Sequence, residues 1–107
     1  MRVLLVWPNR SGFGFKPIGL SLLSAILKSR GHDVRLFDTT YIELGSGGLS
    51  TARSRIRIFK PVDTSRLDLQ KRRLDLRCET TAILQDFRPD VVGVSALSDE
   101  VSVGLAV

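Results

Sequence analysis

The chain has 107 residues, of which 43% are hydrophobic and 25% charged, the composition of one globular domain or part of one. Its single cysteine, Cys78, excludes an internal disulfide and a metal site made of cysteines alone. The apolar run from Val3 to Trp7 is too short for a signal-peptide core, and nothing approaches the roughly 20 apolar residues of a membrane span. We therefore expect a cytoplasmic protein without a membrane partner.

The net charge of +5 is concentrated in the middle of the chain. Between Arg53 and Arg77 nine basic residues stand against three acidic ones. Such a stripe could bind nucleic acid, with an affinity that falls steeply with salt. However, Phe59 is the only aromatic residue there, so base stacking has little support. We favour a solvated, arginine-rich helix face and expect no nucleic-acid partner.

The first 38 residues predict a βαβ unit. Arg2 to Trp7 is a continuous apolar run, typical of a strand buried on both faces of a parallel sheet. Pro17 then opens a helix that Gly31 ends as a left-handed residue, with leucines spaced three and four apart at Leu20, Leu23 and Leu27. Asp33 to Phe37 reads as a second strand that ends at Asp38. The crossover between the two strands is expected to be right-handed.

The second half of the chain predicts an insert, two helices and one strand. Residues 39–64 contain "GSGG" and a proline, which indicates an irregular insert. A helix is expected from near Ser65 to Phe87, with an apolar stripe at Leu69, Leu76, Ile83 and Phe87. Val91 to Ser95 reads as a third buried strand, and Ser98 as the cap of a further helix. This order predicts an α/β fold with a parallel sheet, incomplete at the C-terminus.

The loop between the first strand and the first helix, "PNRSGFGFKP", is rich in glycine. Its spacing, G-x-G-x-x-x-x-G at Gly12, Gly14 and Gly19, departs from the G-x-G-x-x-G of dinucleotide sites, although Asp38 could act as the ribose-binding acid. No G-K-[ST] phosphate loop is present. Because the loop follows a strand, it should lie at the carboxyl edge of the sheet, where α/β proteins bind ligands. A turn without a ligand remains the alternative.

No residue pattern indicates catalysis. His32, the only histidine, follows Gly31 and is expected at the opposite edge of the sheet. Cys78 has no histidine nearby in sequence to activate it. Ser95 and Ser98 lack a nucleophile elbow and are better suited to donate hydrogen bonds to a ligand. We expect no catalytic residue and no protein metal ligand.

Two stretches resemble a known family. "MRVLLVWPN…KPIGLSLLSAILKSRGHDVRLFD" and "FRPDVVGVSALSDE" are similar to the cobalamin-binding domain that precedes the catalytic barrel of many radical S-adenosylmethionine enzymes. The resemblance covers residues 1–40 and 87–107 and leaves out the basic middle. It implies a Rossmann-like, flavodoxin-like parallel sheet with flanking helices. It also implies that cobalamin lies across the carboxyl edge, with its nucleotide tail between sheet and helix.

The resemblance assigns binding roles to particular residues. The first loop, Pro8 to Pro17, would border the corrin and its tail, and Gly19 would let the ligand approach the helix closely. Ser95 to Leu97 match an S-x-L motif whose serine meets the base of the tail. The cofactor-binding residues expected on this basis are Pro8, Asn9, Gly12, Phe13, Pro17, Gly19, Ser95, Ala96, Leu97 and Ser98.

Two features depart from relatives of this family. The methionine-synthase-like branch carries D-x-H-x-x-G after its first strand, whereas "PNRSGFG" has no histidine to ligate cobalt. In this respect the chain resembles the radical enzymes, whose protein commonly supplies no histidine to the lower face of the corrin. The resemblance implies a weakly ligated cobalt, which is easier to reduce and suits methyl transfer. The chain also lacks the three cysteines that hold the iron–sulfur cluster of the radical enzymes. S-adenosylmethionine and that cluster are therefore expected only in a missing C-terminal catalytic domain of a longer parent, and residues 1–107 alone should catalyse nothing.

The N-terminal half of a two-domain glycosyltransferase is the alternative. Such chains also begin like "MRVLLV" and contain "RGHDV", but they usually carry a histidine soon after "PDVV". In this chain "GVSALS" occupies that place.

Overall fold

Three parallel strands form an open sheet in the order β2-β1-β3. The computed structural model describes residues 1–9, 17–43, 55–57, 72–97 and 101–107. In chain order the elements are β1 (Arg2–Trp7), α1 (Ile18–Ser29), β2 (Asp33–Asp38), α2 (Leu76–Phe87), β3 (Val91–Val94) and α3 (Val101–Ala106). The predicted α/β, Rossmann-like parallel sheet with flanking helices is confirmed. No helix in these ranges is long and apolar enough to cross a membrane.

The core is built on both faces of β1, as its apolar run predicts. On one face, here called the α1 face, Val3, Leu5 and Trp7 pack with Leu20 of α1. On the other, the α2 face, Leu4 and Val6 form a cluster with side chains from β2, α2 and the segment after β2, namely Phe37, Phe87 and Ile42. Alternate residues of a strand point to opposite faces, so an apolar β1 supplies both halves of the core.

Gly31 ends α1 in the predicted left-handed conformation, with φ +81°. The N–H of Gly31 donates to the Lys28 carbonyl at 3.0 Å, and the N–H of His32 donates to the Leu27 carbonyl at 3.1 Å. These two bonds form a Schellman motif, which satisfies the last carbonyls of the helix. The turn directs the chain into β2, in register with β1.

The sequence predicted a helix from near Ser65. This prediction is wrong for residues 72–75, because α2 begins at Leu76. Arg72 forms a parallel bridge with Ile42: its N–H donates to the Tyr41 carbonyl at 2.7 Å, and its carbonyl accepts from Glu43 at 2.9 Å. A backbone paired in this way cannot be helical. The Asp75 side chain then caps α2 by accepting from the Arg77 N–H at 2.9 Å.

The apolar stripe of α2 is confirmed where the structure describes it. Phe87 is buried, and Leu76 and Ile83 pack against the cluster of the α2 face. Leu69 and Ser65 lie outside the described residues. The insert predicted over 39–64 begins with ordered residues, because Thr39, Thr40 and Ile42 are buried. Ile42 belongs to the core, which the irregular composition of this segment did not indicate.

β3 is exposed, which corrects the prediction of a buried strand. Val91, Val92 and Val94 are 47–48% exposed. Among the strands that the structure describes, β3 pairs with β1 alone and lies at the edge of the sheet. An apolar flank of α1 is exposed as well, with Leu22 at 62%. The other edge strand, β2, carries Asp33, Arg35 and Asp38, whereas β3 has no charged residue. Edge strands without charges are prone to pair with other chains.

Gly31 and Gly19 provide a matched test of this backbone. Neither has an atom within 4 Å of the position of an added Cβ, but only Gly31 has a positive φ. We expect Gly31→Ala to lower the free energy of unfolding by about 1 kcal/mol through left-handed strain. Gly19→Ala, within α1, should raise it by about 0.5 kcal/mol. Urea denaturation measures both, and equal effects of the two substitutions would contradict the Schellman turn.

The uncharged edge of β3 predicts self-association. We expect Val91→Lys to lower the fraction of oligomer in sedimentation velocity, because a lysine on an edge strand opposes strand pairing. Leu36→Lys, at a residue of β2 that is 51% exposed, adds the same charge to the other edge and is the control. If both variants reduce association equally, net charge rather than the β3 edge is responsible.

Candidate functional site

The strand order creates a switch point at the carboxyl edge of the sheet. From β1 the chain crosses through α1 to β2, and it then returns past β1 to β3 through α2 on the other face. In open α/β sheets ligands bind outside the carboxyl ends of the strands where the direction of winding reverses. That point lies between the ends of β1 and β3. The structure therefore brings Pro8 and Asn9 to the same place as Ser95 to Leu97.

Pro8 and Ala96 both lie close to α3. A Cβ added at Gly104 of α3 would lie 3.1 Å from Val94 Cγ1, 3.5 Å from Pro8 Cγ and 3.6 Å from Ala96 Cβ. Pro8 is fully buried, whereas Ala96 remains exposed on its outer side. The small residue at Gly104 thus allows α3 to approach the switch point closely. Pro8 has a packing role in this structure.

Asn9 joins the ends of β1 and β2 through a buried hydrogen-bond network. Its N–H donates to Thr39 Oγ1 at 2.8 Å, and its Nδ2 donates to Thr40 Oγ1 at 3.0 Å. The N–H of Thr39 donates to the Trp7 carbonyl at 3.2 Å. Sequence reasoning did not identify Thr39 or Thr40 as contributors. The sequence signal that could have indicated them is the Asp-Thr-Thr run that begins at the last residue of β2, since Asp and Thr side chains bond to nearby backbone in turns.

Asp38 lies beside Trp7 at this edge, because the two residues are in register on β1 and β2. Asp38 Oδ1 accepts from the Thr40 N–H at 2.9 Å and from the Thr40 hydroxyl. The carboxylate is half-buried. Its orientation is thus set by the turn that follows β2.

Trp7 carries a buried donor without an acceptor. The side chain is 9% exposed and packs in the cluster that contains Leu20, in the first turn of α1. Its Nε1 is the one buried side-chain N or O atom of the described residues that has no hydrogen-bond partner. Such a donor costs about 1–3 kcal/mol, so it points to strain or to a ligand.

The N-terminus of α1 faces this edge, and its N-cap residue supplies no side-chain cap. Pro17, the N-cap, has no side-chain bond to the first turn, and the first turn contains no acidic residue. Gly19 is exposed with open space on its side. The expectation that Gly19 leaves room for close approach is consistent with this geometry. Pro17, predicted in the first turn of the helix, lies one residue before it as the N-cap.

Ser95 and Leu97 are accessible. The Ser95 N–H donates to the Val6 carbonyl at 3.0 Å and so extends the pairing of β3 with β1 by one residue. Both side chains are exposed. The remaining predicted site residues, Gly12, Phe13 and Ser98, lie outside the described residues.

Sequence reasoning did not predict a groove on the β2 side of α1. It has a volume of ≈ 410 Å³ and is lined by Leu5, Leu20, Ser21, Ser24, Ala25, Lys28 and Leu36. It lies on the other side of α1 from β3, and hence away from the switch point. This groove on the α1 face and the residues of the switch point are therefore separate features.

His32 and Cys78 take no part in the switch point. His32 Nδ1 lies 3.5 Å from the amino nitrogen of Met1, at the amino edge of the sheet, where the sequence predicts it. Cys78 is exposed on α2. Across the ranges that the structure describes, no group of three or more His, Cys, Asp or Glu residues could hold a metal ion.

Comparison with known proteins identified no relative. No family model, no curated protein and no solved structure matches the chain.

The Thr39 network can be tested by stability. Thr39→Val keeps the side-chain volume but removes the acceptor of the Asn9 N–H in a buried site, and should lower the free energy of unfolding by about 2 kcal/mol. Thr39→Ser keeps the hydroxyl and loses one methyl group, for a cost of about 1 kcal/mol. Thermal or urea unfolding compares them. A larger loss for serine than for valine would show that packing, and not the hydrogen bond, dominates.

Proposed function

We propose that the chain is a cobalamin-binding module, similar to those of radical S-adenosylmethionine enzymes, that receives the corrinoid between the ends of β1 and β3. One observation carries the proposal. The resemblance assigns the ligand to residues directly after β1 and directly after β3, and these two strands are neighbours and parallel, so Pro8 and Ser95 both lie at the switch point. Residues that share a binding site must meet in this way, although Pro8 and Ser95 lie more than 80 residues apart in sequence.

The residues at the switch point are suited to such a ligand. Ser95 is exposed, and its hydroxyl makes no hydrogen bond within the described part of the chain, so it can donate to the base of the nucleotide tail. Leu97, at 57% exposure, offers apolar contact. The open space at Gly19 allows the tail to lie against the start of α1. Pro8 and Asn9 are both buried, so they would hold the backbone at the end of β1 in place rather than contact the ligand directly.

The proposal assigns this chain binding and not catalysis. When bound, cobalamin would supply a cobalt centre able to carry a methyl group. His32 lies at the amino edge, so it cannot reach cobalt at the carboxyl edge. In the enzymes that the sequence resembles, S-adenosylmethionine and the iron–sulfur cluster belong to a separate barrel. A cytoplasmic location is part of the proposal, because a lone cysteine suits a reducing compartment.

The test uses the only tryptophan of the chain as its probe. Hydroxocobalamin absorbs where tryptophan emits, so its binding near Trp7 should quench the fluorescence in a saturable way. Ser95→Leu should weaken binding about tenfold or more, because it removes a hydrogen-bond donor and adds bulk at the site.

Ser29→Leu is the matched control, since Ser29 lies at the far end of α1. It should bind cobalamin like the unmodified chain. Absence of saturable quenching in the unmodified chain would refute the proposed function. Equal affinities of the Ser95 and Ser29 variants would remove Ser95 from the site.

A further inference from the structure

We propose that the groove between α1 and β2 binds a small aliphatic carboxylate. The hydrocarbon chain of this ligand would lie between the helix and the strand, with its carboxylate beside Lys28. The groove is on the other side of α1 from β3, so the site is separate from the switch point and does not depend on the proposed function. All residues that line it belong to the described part of the chain.

The groove is open because the flank of α1 that faces β2 carries small side chains. Ser21, Ser24 and Ala25 lie there at helical spacing, and they are too short to fill the space beside the strand. Leu36 stays 51% exposed, although it lies in register with the buried Leu5 on the α1 face of the sheet. The resulting volume of ≈ 410 Å³ falls within the range of small-molecule sites, about 300–1,000 Å³.

The apolar residues of the groove favour a hydrocarbon chain. Leu5 and Leu20 are buried at its bottom, and Leu36 borders it on the strand side. From Ser21 to Lys28 the helix axis rises about 10 Å, a length similar to that of an extended octanoate chain. A chain in this position would remove its own apolar surface and that of Leu36 from water.

Lys28 makes one end of the groove positive. It is the one charged residue that lines the groove, and it forms no hydrogen bond or ion pair within the described part of the chain. A lysine stem can lie along apolar surface while its ammonium group stays in water. Asp38 lies beyond the opposite end, two residues after Leu36 on the same face of β2. These two charges orient a ligand with its negative head group towards Lys28.

Ser24 supplies a hydrogen-bond donor beside Lys28. The two residues are four apart in α1 and therefore lie on the same flank of the helix. Ser24 is half-buried, and its hydroxyl makes no hydrogen bond within the described residues. By contrast, Ser21 Oγ donates to the Pro17 carbonyl at 3.1 Å. A hydroxyl and an ammonium group on one flank can both donate to the same carboxylate.

The experiment compares octanoate with octylammonium, which has the same chain and the opposite charge. Titration of the chain with octanoate at neutral pH and low salt should move the ¹⁵N–¹H amide signals of Ser24, Ala25 and Lys28 in a saturable way. Octanoate should bind about threefold or more tightly than octylammonium, because Lys28 attracts only the anion. Equal affinities, or no saturable movement up to about 10 mM octanoate, would overturn the inference.

Two charge variants locate the head group of the ligand. Lys28→Glu should reverse the preference, so that octylammonium binds more tightly than octanoate. Arg30→Glu makes the same change in net charge at the C-cap of α1, which does not line the groove, and should keep the preference for octanoate. An equal change of preference in both variants would overturn the placement of the carboxylate beside Lys28.

A space-filling variant locates the hydrocarbon chain. Ala25→Leu places a larger side chain in the groove at an exposed position of α1, and should weaken octanoate binding about fivefold or more. Ala82→Leu makes the same substitution at an exposed position of α2 and should leave binding unchanged. The amide spectrum of each variant reports whether it is folded. A folded Ala25→Leu variant that binds octanoate like the unmodified chain would overturn the site.

Two further measurements separate this site from other uses of the groove. If octanoate does not bind and Ala25→Leu lowers the fraction of oligomer in sedimentation velocity, a second copy of the chain occupies the groove and the inference is overturned. Saturation with hydroxocobalamin should leave octanoate binding unchanged. Displacement of octanoate by hydroxocobalamin would overturn a separate site. If octanoate binds and hydroxocobalamin does not, the proposed function fails and the carboxylate site stands.

Discussion

The burial of β1 between two layers is the constraint on which the rest of this structure depends. Its five residues from Val3 to Trp7 are all buried, and they contribute in alternation to the α1 face and the α2 face. Both neighbouring strands pair with it in parallel. A parallel pair requires a crossover, so α1 and α2 must pack on the sheet. The central position of β1 also places the switch point beside its carboxyl end.

That carboxyl end combines rigidity with openness. Asn9, Thr39 and Thr40 tie the ends of β1 and β2 together through buried hydrogen bonds. Ser95 and Leu97 stay accessible at the end of β3, and the N-cap residue Pro17 supplies no side-chain hydrogen bond to the start of α1. A pre-organised ligand site requires backbone that is held rigidly and polar groups that stay accessible, and this edge of the sheet has both.

The sequence predicted the fold closely where local signals and tertiary packing agree. The apolar β1 and the left-handed Gly31 each depend on neighbouring residues, and both appear as predicted. The leucine stripe of α1 appears in part: Leu20 is buried and Leu27 packs against the core, whereas Leu23 is 43% exposed. The start of α2 was misplaced because the bridge between Ile42 and Arg72 joins residues 30 positions apart, which no local pattern reveals. The same limitation hid the role of Thr39, whose partners are Trp7 at the end of β1 and Asn9 in the segment that follows β1.

By itself the sequence determined the βαβ unit and the strand ends that carry the candidate site residues. It also determined that the first loop has no histidine. Each of these features depends only on residues that are neighbours in the sequence. Only the tertiary structure decided that β3 lies at an exposed edge, that α3 covers Pro8 and that the Trp7 donor has no acceptor. These properties depend on which elements pack around a residue. Burial and hydrogen-bond satisfaction are set by neighbours in space, and composition or periodicity does not specify them.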